Sequence, residues 1–139
     1  MNEIDLVGSL TRIVAPAKSQ TNNTGAFLFD AEAQNFVGIV AVNFNIGVKT
    51  AGDSDAVIAL RVLHSATNNI SNAVNYTPPV ASTANAVNVS TSNNTAGSGT
   101  LGVDTRSANR YIFYGVALTG TNSLAYPIAV SATGQKKVN

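Results

Sequence analysis

Few residues in this chain could do chemistry. The single histidine, His64, ends an apolar run, AVIALRVLH, and is followed by Ser65. A Ser–His–Asp triad needs such an imidazole beside a serine held on a constrained turn, and no GxSxG-like elbow is present. One imidazole cannot build a histidine metal site, and the absence of cysteine removes thiolate ligands and disulfides alike. The carboxylates are Glu3, Asp5, Asp30, Glu32, Asp53, Asp55 and Asp104. Glycoside hydrolysis requires two of them facing each other across a cleft, and this set is sparse. Gly52-Asp53-Ser54-Asp55 offers half the oxygens of a calcium loop but lacks its bidentate glutamate, so an Asx turn explains it better. Gly97-Ser98-Gly99 has neither the strand-to-helix context nor the lysine of a phosphate-binding loop. Arg110, Tyr111, Phe113 and Tyr114 could stack on bases, yet core aromatics of a strand explain them more simply. The expectation is no enzyme, no cofactor, no metal and no nucleic-acid partner.

Composition points the same way. Of 139 residues only 11% are charged, and the net charge is +1, against roughly 25% charged in ordinary domains. Long-range attraction to nucleic acid or anionic lipid is therefore not expected. The polar surface must be Asn, Ser, Thr and Gly, which favour turns and strands over helices. Weak repulsion between copies permits dense packing. The start, MNEIDLVGSLTRIVAP, does not read as a signal peptide, and no run is apolar enough to span a bilayer, so no membrane partner is expected.

The elements that must position these residues read as strands. Ala26–Asp30 is a short one. In Phe36–Ile46, residues Phe36, Val40, Val42, Phe44 and Ile46 share a pleat face that Gly38 interrupts. In the run ending at His64, one face carries Ile58, Leu60, Val62 and His64, and the other Val57, Ala59, Arg61 and Leu63. Arg61 marks the wetter face. Ala73–Thr77, Ala86–Ser90 and Leu101–Val103 follow, with Ser92–Thr100 expected as a loop. Residues 110–137 alternate, pause at TGTNS, and alternate again, which predicts a β-hairpin. About eight short strands with turn signals between them indicate an all-β antiparallel sandwich. Its core is expected at Val40, Val42, Phe44, Ile58, Leu60, Val62 and one face of residues 111–118. That stretch is apolar on both faces, through Tyr111 and Phe113 on one and Ile112, Tyr114, Val116 and Leu118 on the other. Residues 17–139 form one domain. Residues 1–16 carry Ile4, Leu6, Leu10, Ile13 and Val14 without a clean period, and read either as an arm that docks on a neighbour or as a first edge strand.

Several short words lie from Gly52 onward: Asp53–Asp55, Leu63-His64-Ser65, Val103-Asp104, Arg110-Tyr111, Thr119–Asn122 and Tyr126–Ala132. Over about two-thirds of the chain this pattern resembles small virion proteins of tailed bacteriophages. The resemblance implies a jelly-roll-like sandwich that decorates and cements the capsid exterior, bridging neighbouring capsomers. It also implies a homotrimer, the major capsid protein as partner, and location on the virion. The polar stretch from Val80 to Gly99 departs from the pattern. Contacts with the shell or with another subunit are expected at Ile4, Leu6, Leu10, Ile13 and Val14 of the arm and at Tyr111 and Phe113 of the two-sided strand. The alternative from another class is a carbohydrate-binding sandwich of a phage tail or fibre. With no tryptophan, it would need exposed tyrosines beside a polar cleft.

Overall fold

Period-two alternation with β-branched and aromatic residues gives strands along most of the chain. The computed structural model describes residues 4–13, 17–20, 24–47, 57–78, 86–90, 97–119, 124–126 and 128–137. Its strands are β1 (Ile4–Ile13), β2 (Ala17–Gln20), β3 (Thr24–Asp30), β4 (Phe36–Ile46), β5 (Val57–Ser65), β6 (Val74–Asn75), β7 (Ala86–Ser90), β8 (Gly97–Asp104), β9 (Tyr111–Thr119), β10 (Leu124–Tyr126) and β11 (Ile128–Lys137). One 3₁₀ turn, Ile70–Asn72, lies between β5 and β6.

Two antiparallel sheets make the sandwich. The first has the order β1-β11-β4-β8; the second has β3-β9-β5-β6, with β7 also paired to β5. The pairs nest inside one another: β1 with β11, β2 with β10, β3 with β9, β4 with β8, and β5 with β7. The chain is thus one long antiparallel ribbon rolled so that its strands alternate between sheets, which is the jelly-roll arrangement. Residues Ile4–Ile13, left open above between arm and edge strand, form the edge strand of the first sheet.

The core lies between the sheets. Val40, Val42, Phe44 and Ile46 of β4 meet Leu60 and Val62 of β5 and Ile112, Tyr114 and Val116 of β9, all buried. The face of β9 that turns inward is therefore the one carrying Ile112. The register expected for β4 and β5 holds, and the Ile58 side chain lies outside the described ones. Two irregularities fit large residues into this core. In β3 the pairing with β9 shifts between Phe27 and Phe29, so Leu28 is an extra residue and both Leu28 and Phe29 are buried. In β4 the pairing with β11 shifts across Gly38 and Ile39. Gly38 has φ +73°, a left-handed conformation that glycine adopts without a Cβ penalty. Two inserted residues keep the parity of the pleat, which is why Phe36 still shares a face with Val40.

Two expectations are corrected. Residues 110–137 are not a hairpin: β9 lies in the second sheet between β3 and β5, while β11 lies in the first between β1 and β4. A hairpin and a sheet-to-sheet crossing both read as two alternating runs around a polar pause. What separates them is the long-range partner, and each run has two. The Ser92–Thr100 loop is also too long, because Gly97–Thr100 are already strand, paired with residues 43–46 of β4. Ladder hydrogen bonds to a long partner override the weak strand propensity of Gly-Ser-Gly.

Candidate functional site

The strand ends bring two turns, 31–35 and 105–110, together with His64 and Tyr76 in one polar cluster. Asp30 ends β3, and its Oδ1 accepts from the backbone N–H groups of Glu32 and Ala33, both 3.1 Å. Arg110 grips the same carboxylate, with Nε 3.0 Å from each oxygen and Nη2 2.8 Å from Oδ2. Its Nη1 reaches Glu32 at 2.8 Å, and the guanidinium lies over the Tyr111 ring, 5.1 Å from the centroid. Asn35 closes this turn at φ 54°, a conformation asparagine tolerates. In the second turn Asp104 Oδ1 accepts from the Arg106 backbone N–H, and its carboxylate pairs with the Arg106 guanidinium at 2.8–2.9 Å. Arg106 holds the Asp104 carboxyl down at about 2. Hydrogen bonding from Arg110 lowers that of Asp30 as well. Both contribute stability above the ordinary carboxylate range and lose it in acid.

Tyr76 ties this end together. It is 3% exposed, and its hydroxyl accepts from the Asp104 N–H at 3.0 Å. That leaves its own proton to reach Ser107 Oγ, 3.0 Å away, while Ser107 Oγ donates to the Asp104 carbonyl at 3.1 Å. The Tyr76→Phe variant strands a backbone N–H in a part-buried site. It should lose about 1–3 kcal/mol of stability, seen as a lower urea midpoint with unchanged slope. A loss under about 0.5 kcal/mol would mean that water replaces the hydroxyl without penalty.

His64 packs edge-on against Tyr76, with centroids 5.4 Å apart. Its Nδ1 accepts from the Asn109 backbone N–H at 2.9 Å, so the ring is neutral with its proton on Nε2. Burial pushes its pKa below the ordinary 6.5. The neutral form is favoured in the fold, so stability is full above that value and falls as pH drops through it. Unfolding midpoints should therefore be higher at pH 8 than at pH 5.5, and His64→Leu should remove that slope. An unchanged slope in the variant would assign it to another group.

Ser65 Oγ accepts from the Thr67 N–H at 3.1 Å and lies 3.3 Å from Thr67 Oγ1, which makes it a turn former. Among the described residues no group of three or more His, Cys, Asp or Glu side chains is placed to hold a metal, and no helix is long and apolar enough to cross a membrane. Three of the six words behind the phage resemblance, Leu63-His64-Ser65, Val103-Asp104 and Arg110-Tyr111, fall in or beside this cluster. Here they close turns and lock strand ends.

The second place of interest is the outer face of the second sheet. Strand pairing sets Leu63, Phe113 and Phe27 side by side in one row, and Arg61, Gly115 and Gly25 in the next. The first row is a wall, with the Phe27 and Phe113 rings edge-on at 5.8 Å. The second row has no side chain on two of its three strands, and Leu63 leans over Gly115, whose Cβ position lies 2.9 Å from Leu63 Cδ1. The segment after β5 crosses this face: the position a Gly25 Cβ would take lies 2.9 Å from Ile70 Cδ1. Between segment and sheet runs a groove of about 470 Å³, lined by Gly25, Arg61, Leu63, Ile70, Val74 and Gly115 among others. Val74 is 57% exposed on its rim.

Of the expected contact residues, Tyr111 is half-buried beneath Arg110. Phe113 is corrected: at 2% exposure it is covered within its own chain, because Phe27 lies against it. Ile4, Leu10 and Ile13 are paired with β11 from strand β1, Leu6 falls in the irregularity between Asp5 and Gly8, and Val14 lies outside the described residues. The structure does not bring these strand-β1 positions and Tyr111 together into one sheet. The groove was missed because its signal is an absence: Gly25 and Gly115 become neighbours only through strand register. No protein-family model matches this chain, and no curated protein matches it.

Proposed function

We propose that this chain is a structural protein of a phage virion, a homotrimer that decorates the outer capsid surface and bridges neighbouring capsomers. The observation that carries the reading is the outer face of the second sheet. A sandwich ordinarily turns polar residues outward there; this one has half-buried Phe27 and Leu63 beside a groove whose rim exposes Ile70 and Val74. Such a face suits a protein surface. The jelly-roll topology and the low charge of the chain support the same reading, since many equivalent copies packed on one shell gain by avidity. The carbohydrate-binding alternative is less well supported. Among the described tyrosine side chains, Tyr76 and Tyr114 are buried and Tyr111 lies beneath Arg110, so none offers an open stacking face.

The test is co-sedimentation of the purified chain with DNA-filled heads stripped of their own copy, followed by a cryo-EM map. Saturable binding with density where capsomers meet is the expected result. A chain that stays in the supernatant, or that binds glycans on an array and not heads, would overturn the reading.

A further inference from the structure

We infer that the groove on the second sheet is a docking site for an acidic, aliphatic peptide segment of a partner protein, with Arg61 as the group that reads its carboxylate. The inference deepens the proposed function and rests on its premise that the chain binds another protein. Charge decides the occupant. Three arginine side chains are described: Arg106 is paired with Asp104, and Arg110 with Asp30 and Glu32. Arg61 is half-buried in the groove, and among the described residues no carboxylate or other hydrogen-bonding partner meets it. A half-buried guanidinium that meets no carboxylate among the described residues favours a ligand that brings one, because such charge-assisted bonds are the strong ones and can form in pairs.

The surroundings fix the rest of the ligand. Gly115 stands directly opposite Arg61, and Gly25 opposite Gly115; the Leu63 and Ile70 side chains pack over these two glycines, so a ligand beside Arg61 meets an aliphatic floor. Leu63 forms part of the groove wall, and Ile70 and Val74 on the crossing segment give its outer lip. A volume of about 470 Å³ lies in the range of small binding pockets and admits a few side chains. An aspartate or glutamate flanked by aliphatic residues matches both the cation and the walls. A basic segment would leave Arg61 facing like charge, and a purely apolar one would leave it desolvated and unpaired.

The experiment titrates the ¹⁵N-labelled full chain with acetyl-Gly-Leu-Asp-Leu-Gly-amide and with the same peptide carrying Asn for Asp. The Arg61 Nε signal and the Gly25 and Gly115 amides should shift with the aspartate peptide. The asparagine peptide should bind about tenfold more weakly or worse, as expected for losing a charged partner. Arg61→Gln should erase that difference, while Arg61→Lys should keep part of it. Equal binding of the two peptides, shifts elsewhere on the molecule, or no shift at millimolar peptide would overturn the assignment. The same variants are then mixed with stripped heads. If wild type and Arg61→Gln bind heads equally, the groove is not the docking site, although the decoration reading survives. If no variant binds heads while the aspartate peptide occupies the groove, the decoration reading fails and the groove assignment stands.

Discussion

Leu60→Ala should lower the unfolding free energy by about 2–5 kcal/mol, the range for deleting a buried leucine side chain. Leu60 is fully buried at the middle of β5, a strand paired on both edges: β9 on one side, β7 and β6 on the other. Neighbours so constrained relax little into the cavity, which places the expected value in the upper half of the range. Urea unfolding should show a lower midpoint with an unchanged slope. A loss below about 1 kcal/mol would mean that Leu60 is not enclosed between the sheets, since exposed substitutions rarely exceed about 0.5 kcal/mol.

Phe29→Ala should cost still more, about 3–5 kcal/mol. Phe29 is 1% exposed, and its ring meets Phe36 of the opposite sheet edge-on at 5.2 Å. The variant removes both the buried area and an aromatic pair that joins the two sheets. It also acts next to the extra residue of β3. Leu28, buried beside it, could rotate into part of the space, which would show as a cost at the low end with a changed near-ultraviolet spectrum. The comparison Phe27→Ala separates the effects, because Phe27 lies on the outer face against Phe113 and its loss should leave the inter-sheet pair intact.

The strands and their inward faces were legible because alternation is a local signal. Val40, Val42, Phe44, Leu60 and Val62 are buried as their spacing requires. Pairing was not legible, because it joins residues far apart: the stretch around TGTNS reads alike whether its flanking strands pair with each other or with four distant ones. Phe113 shows the same limit on a smaller scale. Its outward position on β9 follows from parity, but its burial depends on Phe27, which pairs with it from 86 residues away in sequence. The polar cluster was half legible. Asp30 reads as the end of a strand and Arg110 as the start of one, yet nothing local joins Arg110 to Asp30 or Tyr76 to Asp104. Arg61 was legible as the mark of an outer face. That it meets no carboxylate among the described residues could be seen only once Arg106 and Arg110 had found theirs.

The nesting of the strand pairs sets an order for assembly. Pairing β5 with β7 closes a short loop, and each pair further out closes a longer one, with an entropy cost that grows with loop length. Once an inner pair has formed, the loop left for the next pair is effectively shorter, so the ribbon can zip outward from residues 57–90. The outermost strand is also an interior one: β11 stands between β1 and β4. During synthesis the first sheet therefore has a gap between β1 and β4 until residues 128–137 emerge, and its buried faces wait for β11. A nascent chain of this design exposes apolar surface until then, and a ribosome stalled before residue 128 would hold a half-built sandwich with two open strand edges, a natural target for chaperones.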